Sequence, residues 1–183
     1  PKAIVMCPTR ELALQVSKEA ILLKGDSRNL RIATVVGGMP YRRQIKELQN
    51  VALVVATPGR LLDLYNQNAI NFDDVRFFVA DEADRMLDMG FSDDIKAIHT
   101  ACRNVNQTLM FSATFPRKVM DLAESMMDHP VRVELAIKDN INPKIEQLLN
   151  WADGKEHQRK ILRHWLDDAA IDQAVVFAPT QKE

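Results

Sequence analysis

The chain has 183 residues, 46% of them hydrophobic and 27% charged, with a formal net charge of -1. That length suits one domain, or a domain and part of another, and the composition supports a sizeable buried core. The near-neutral balance excludes a purely electrostatic nucleic-acid binder of the histone kind but leaves room for a local nucleic-acid site. Cys7 and Cys102 stand far apart and in no metal-ligand spacing, which predicts reduced thiols and a cytoplasmic protein. No apolar run approaches the roughly 20 residues that span a membrane, and no signal peptide is visible. The chain opens without Met inside an apolar run, Pro1-Lys2-Ala3-Ile4-Val5-Met6, which reads as a cut edge.

Short apolar runs then alternate with helical patterns. Strands are predicted at 3–7, 31–36, 52–56, 76–80, 108–112 and 131–135. Most are apolar on both faces, as strands covered on both sides of a parallel sheet are. A helix is predicted over 10–24, where Leu12, Val16, Ala20 and Leu23 share one face. Weaker helical patterns cover 44–49, 60–66, 93–103 and 118–127. This alternation predicts crossover units, hence an α/β fold with a parallel sheet flanked by helices. The pattern lapses after 136, and 137–144 reads as a linker containing Pro143. A strand at 145–151, a helix at 157–166 and a strand at 174–177 read as the beginning of a second α/β unit.

Ligands of open parallel sheets bind beyond the carboxyl ends of the strands, so the residues that follow each predicted strand are the candidates. Pro8-Thr9-Arg10, Gly37-Gly38 and Thr57-Pro58-Gly59-Arg60 follow the first three, each leading toward a helix. Helix starts expose unpaired N–H groups and the positive end of the helix dipole, and such ends bind phosphate. Arg10 and Arg60 add a full charge each. Three such ends side by side suit the phosphates of one nucleic-acid strand. Taken singly, each is also ordinary helix-start and turn vocabulary.

The fourth strand, Phe77-Phe78-Val79-Ala80, runs straight into Asp81-Glu82, with Asp84 and Asp88 behind. Adjacent carboxylates repel and are costly to desolvate. A strand ending in Asp-Glu can hold Mg²⁺ through water and set a carboxylate beside an attacking water. It can equally be an exposed first helical turn, where acids favour the dipole. Asp84 favours the first reading, because Ser112 or Thr114 on a neighbouring strand end can hydrogen-bond to it.

These residues together resemble one family, the DEAD-box RNA helicases of superfamily 2, and the run Arg85–Phe91 resembles its bacterial members. The motifs occur in the family's order: Pro8-Thr9-Arg10-Glu11-Leu12, Gly37-Gly38, Thr57-Pro58-Gly59-Arg60, Asp81-Glu82-Ala83-Asp84 and Ser112-Ala113-Thr114. Val175-Val176-Phe177 resembles the first strand motif of the family's second domain. The resemblance implies a RecA-like domain over 1–136 and the start of another over 145–183. It implies ATP and Mg²⁺ as cofactors, with Asp81 holding Mg²⁺ through water and Glu82 activating the attacking water. Asp84, Ser112, Ala113 and Thr114 would couple the nucleotide site to RNA. Pro8, Thr9, Arg10, Gly37, Gly38, Thr57, Pro58, Gly59 and Arg60 would contact the RNA backbone, with low sequence preference.

The family's phosphate-binding loop, Gly-x-x-x-x-Gly-Lys-Ser/Thr, does not occur in the sequence. Of the glycines only Gly154 precedes a Lys, and Leu149 stands where the first Gly should be. The arginine-bearing motifs of the second domain are also missing. The expectation is therefore the middle of a helicase, truncated at both ends and without ATPase activity on its own. The alternatives are a non-hydrolysing RNA-binding module of the same fold and a DNA helicase of the same superfamily.

Overall fold

The computed structural model describes residues 1–27, 30–135, 146 and 148–178. The chain divides into two compact units, Pro1–Arg132 and Val133–Glu183. The first holds five four-residue strands, β1 (Ala3–Met6), β2 (Ile32–Val35), β3 (Leu53–Ala56), β4 (Phe77–Ala80) and β5 (Gln107–Met110). Between and after them run α1 (Arg10–Lys24), α2 (Tyr41–Glu47), α3 (Pro58–Asn66), α4 (Ala83–Asp88), α5 (Ser92–Ala101) and α6 (Arg117–Met126). All strand pairs are parallel, in the order β2-β3-β1-β4-β5. The predicted α/β sheet is therefore present, with β1 at its centre.

The register matters for function. Met6 is level with Ala56 and with Ala80, Val35 with Ala56, and Ala80 with Met110. All five strands thus end on one line, and the residues that follow them emerge along one edge. The connection from β3 to β4 passes from one side of β1 to the other, which is where such sheets bind ligands.

Two clusters hold the sheet. On one face Ile4, Met6, Val35, Val54, Ala56, Phe78 and Ala80 pack with Leu61 and Leu64 of α3, Met86 of α4, Ile95 and Ile98 of α5, and Leu122 of α6. Full burial of each large side chain contributes about 1.5–3 kcal/mol. On the other face Val55 packs with Val5, Leu53 and Ile32 of the sheet and with Leu12, Ala13 and Val16 of α1. Ser17 of α1 and Thr34 of β2 share a hydrogen bond of 2.6 Å there. This second face is covered over β1, β2 and β3 but not at Phe77 of β4 or Leu109 of β5, which are 48% and 37% exposed. Two-sided burial, expected for most of the strands, fails at the β5 end of the sheet.

Other expectations need correction. No strand forms at 131–135: Val131, Val133 and Leu135 are exposed, and among the described residues no strand pairs with them. The strand expected at 145–151 lies partly outside the described residues, and 146 and 148–151 are not in a ladder. Residues 174–177 are likewise irregular, with Val175 and Phe177 exposed, because a lone apolar run has nothing to pair with. The expected linker at 137–144 lies outside the described residues. In the second unit the helix predicted at 157–166 forms as α7 (Lys155–Leu166). The short helix α4 was not anticipated as a separate element.

Candidate functional site

The first three strand ends carry backbone donors. Thr9 caps α1, its hydroxyl accepting from the Leu12 N–H at 3.2 Å. The N–H groups of Arg10 and Glu11 lie too early in α1 for an intrahelical partner. Pro58 occupies the first turn of α3, and the Thr57 N–H donates to the Val35 carbonyl at 3.0 Å, which leaves the Gly59 and Arg60 N–H groups at that helix start. Thr57 makes no side-chain cap. Gly37-Gly38 does not begin a helix as expected. It forms a turn, and α2 starts only at Tyr41 behind Pro40. Among the described residues, no backbone hydrogen bond outside the regular elements starts from the Gly37 or Gly38 N–H.

These ends are tied to one another. Gly38 sits at φ +73°, and a Cβ there would stand 2.4 Å from Arg10 Nη1. The Arg10 guanidinium therefore lies directly over the second glycine; the angle favours Gly, and a side chain there would displace the guanidinium. The Arg60 Nη1 donates to the Met39 carbonyl at 2.8 Å, and its guanidinium stacks 4.1 Å over the Tyr41 ring. The Tyr41 hydroxyl donates to Asp63 Oδ2, a bond that pushes the phenol pKa up. Gln44 Oε1 accepts from the Val36 N–H at 2.9 Å, and its Nε2 donates to the Met39 carbonyl at 3.2 Å. Arg60 is thus engaged inside the protein rather than extended as a free cation. Asp94 Oδ2 lies 3.7 Å from where a Gly59 side chain would begin, so a carboxylate already stands near the start of α3. Tyr41, Gln44, Asp63 and Asp94 escaped sequence reasoning. Only Gln44 left a signal, a polar residue four places before Leu48 on the inward face of its helix.

The other two strand ends carry the acids. Asp81 is half-buried and Glu82 exposed. The Asp81 N–H donates to the Met6 carbonyl at 2.9 Å, continuing the sheet past β4, and Asp81 Oδ1 accepts from the Glu82 N–H at 3.0 Å. Glu82 is left-handed, at φ 51° and ψ 53°, a conformation that costs a non-glycine residue roughly 1–2 kcal/mol. That turn starts α4. Beneath them Cys7 is buried, and burial followed by the charges of Asp81 and Glu82 raises its thiol to about 12.

Asp84 turns toward β5 instead. Its Oδ2 accepts from the Thr114 N–H at 3.0 Å and the Thr114 hydroxyl at 2.8 Å, and its Oδ1 accepts from the Arg85 N–H at 3.0 Å. Ser112 Oγ accepts from the Asp84 N–H at 3.2 Å and donates to the Thr114 carbonyl at 2.7 Å. Burial works to raise the Asp84 pKa, but the donors from Thr114, Arg85 and Ser112 outweigh it and hold the carboxyl below its ordinary range. Ala113 supplies only backbone between Ser112 and Thr114. The structure therefore joins Asp84, Ser112 and Thr114 into one network and leaves Asp81 and Glu82 outside it, facing solvent.

Among the described residues no group of three His, Cys, Asp or Glu could hold a metal ion. Mg²⁺ does not need one, because it keeps several waters and binds through one or two carboxylates plus substrate phosphates. The half-exposed Asp81 carboxylate, a hard oxygen donor at a strand end, fits that manner of binding.

Residues 1–122 match the family model of DEAD/DEAH box helicases. The whole chain aligns at 40% identity with the ATP-dependent RNA helicase DBP3 of Kluyveromyces lactis, covering 37% of that protein. A probable ATP-dependent RNA helicase of Methanocaldococcus jannaschii is 44% identical over 86% of this chain and 41% of its own length. The crystal structure of a DEAD box protein from the hyperthermophile Methanococcus jannaschii superposes with a TM-score of 0.66 at 40% identity, over 91% of this chain and 44% of that one. The chain thus spans well under half the length of the relatives it matches. They are yeast and archaeal, and give no support to a bacterial assignment. The family model covers the entire five-stranded sheet and its carboxyl edge, and the chain belongs to the DEAD/DEAH box helicase family.

Proposed function

We propose that this chain is part of an ATP-dependent RNA helicase that grips single-stranded RNA by its sugar-phosphate backbone. The observation that carries the reading is the single edge at which helix-start N–H groups and the acid pair emerge together. Relatives named as ATP-dependent RNA helicases support the RNA and ATP parts.

On this reading Thr9, Arg10, Gly37, Gly38, Thr57, Gly59 and Arg60 line the RNA path, and Pro8 and Pro58 set the backbone entering it. Asp81 would hold Mg²⁺ through water. A carboxylate oxygen of Glu82 takes the proton of the attacking water, a role that its exposure suits. When bound, Mg²⁺–ATP supplies the phosphoryl group and neutralises charge on its oxygens. Asp84, Ser112, Ala113 and Thr114 link the acid strand to β5, so that a change at one strand end is felt at the other. Reduced, buried Cys7 and Cys102 support a cytoplasmic setting. Because no Gly-x-x-x-x-Gly-Lys occurs among the 183 residues, the chain by itself is read as binding RNA without turning over ATP.

Fluorescence anisotropy on labelled single-stranded RNA tests the reading. The chain should bind unrelated sequences with similar affinity, with affinity falling as salt rises. Arg10→Ala should weaken binding and flatten the salt slope by about 0.7, the value for one phosphate contact on a single strand. No binding at low salt, or strong preference for one sequence, would overturn it.

A further inference from the structure

Gln44 is fully buried, with 0% of its surface exposed, and it ranks among the largest fully buried side chains. An amide in that position is costly unless both its ends are paired. Both are, and the partners fix which end is which. The Val36 N–H can only donate, so it meets Oε1, and the Met39 carbonyl can only accept, so it meets Nε2. A methionine would fill the same length without the desolvation cost. What the amide adds is therefore these two bonds.

Their location is specific. Val36 and Met39 are the residues on either side of Gly37-Gly38, so one side chain bridges the two ends of the glycine turn. Two successive glycines lose more freedom on ordering than any other pair. Gly37 meets nothing within 4 Å of where a side chain would stand, and at Gly38 the atoms met are the end of the flexible, exposed Arg10 side chain. The Met39 carbonyl receives a second donor, Arg60 Nη1, from the start of α3. The turn is thereby fixed both to its own helix and to the neighbouring strand end.

We infer that Gln44 is a positioning residue for RNA backbone binding: it holds the Gly37-Gly38 amides in place before RNA arrives. The inference rests on the RNA-binding reading above. It assigns no contact between Gln44 and RNA. Without the bridge the turn must be ordered at the moment of binding, and affinity falls by the cost of ordering about one residue, roughly ten-fold.

The test compares wild type, Gln44→Met and Gln44→Glu in the 183-residue chain. Met loses both bonds. Glu, kept neutral by burial, accepts from Val36 and can still donate its O–H to the Met39 carbonyl, so it conserves part of the bridge and serves if the Met variant does not fold. Amide hydrogen exchange at Val36, whose N–H donates to Gln44 Oε1, should rise about ten-fold in Gln44→Met and less in Gln44→Glu, while exchange in β1 and β3 stays as in wild type. Affinity for labelled single-stranded RNA should fall about ten-fold, with an unchanged salt slope because no charge is removed at a phosphate. A merely structural glutamine would lower the unfolding temperature without moving the RNA affinity of folded protein, and that result overturns the inference. So does unchanged exchange at Val36. Wild type that fails to bind RNA sinks the functional reading instead, while the exchange data still decide whether Gln44 fixes the turn.

Discussion

The Gly38→Ala substitution tests the geometry of the RNA-side edge most directly. At φ +73° an alanine is in the left-handed region, at a cost of roughly 1–2 kcal/mol. The loss of unfolded-chain freedom returns about 0.4–1 kcal/mol. The new Cβ meets Arg10 Nη1 at 2.4 Å and Cζ at 3.0 Å, but these atoms end an exposed side chain that can swing away. The net loss should be about 1 kcal/mol, a fall of about 4 °C in Tm for a unit of this size. On the proposed RNA reading the larger effect should be functional, because the displaced guanidinium would forfeit a charge-assisted phosphate contact of about 1.5–3 kcal/mol, at least ten-fold in affinity. Gly37→Ala is the control for stability: its φ is not left-handed and its side-chain position is open, so Tm should barely move. Thermal unfolding and RNA anisotropy on both variants, on Arg10→Ala and on the Arg10→Ala/Gly38→Ala pair read the outcome. In the pair the two affinity losses should not add, since both remove the same contact. Gly38→Ala with wild-type affinity, or Gly37→Ala as destabilised as Gly38→Ala, would refute the reasoning.

Asp84→Asn should destabilise by about 1–3 kcal/mol, because an amide nitrogen would face the Thr114 donors. The Asp84 pKa is depressed on folding, so its contribution is complete above the ordinary 3.8 and is lost as pH falls through the lower folded value. Urea midpoints of wild type and variant should therefore differ at pH 7 and converge in acid; a constant gap would be contrary evidence. Cys7 and Cys102 are buried with thiols at about 12, so neither should react with a disulfide reagent at pH 8 until the protein is unfolded. Fast labelling of folded protein would contradict their burial. The 183-residue chain should release no phosphate from ATP in the presence of RNA, and turnover abolished by Glu82→Gln would overturn that. Glu82→Gly should raise Tm by a few degrees by relieving a left-handed residue, while Glu82→Gln leaves it unchanged; equal effects would mean φ is not the cause.

The sheet was legible because its signal is redundant. β1 to β4 are apolar runs, each followed by punctuation, and predicted and observed strands differ by only a residue or so at each end where the ladder stops. The same cue misled at 131–135 and 174–177, since an apolar run becomes a strand only when a neighbour completes its hydrogen bonds. At the site the sequence reveals residues whose chemistry is visible in isolation, such as Asp81, Glu82 and Arg10. The Asp84–Thr114 bond was foreseeable because both residues end adjacent strands. Gln44, Tyr41 and Asp63 were not, since they act through partners up to 22 positions away that only the fold brings near.

The two halves of the edge are stabilised in opposite ways, and this follows from their charge. Cationic Arg10 and Arg60 crowd without penalty onto polar backbone: Arg10 lies over a glycine, and Arg60 sits on a carbonyl and an aromatic ring. Carboxylates cannot do this, because they only accept, and the acid run must find donors or water. The Asp84 carboxylate accepts three hydrogen bonds, from Arg85 and Thr114, and its N–H donates to Ser112, so it is fixed. Glu82 finds none from another element for its carboxylate among the described hydrogen bonds, and is held out by a left-handed backbone that Asp81 Oδ1, the Met6 carbonyl and the Phe111 carbonyl pin from both sides. A strained acid held in solvent by satisfied neighbours is an arrangement that folding alone does not favour, since a glycine there would relieve the strain. The conformation is accounted for if the carboxylate has to be presented to water, as activation of an attacking water requires.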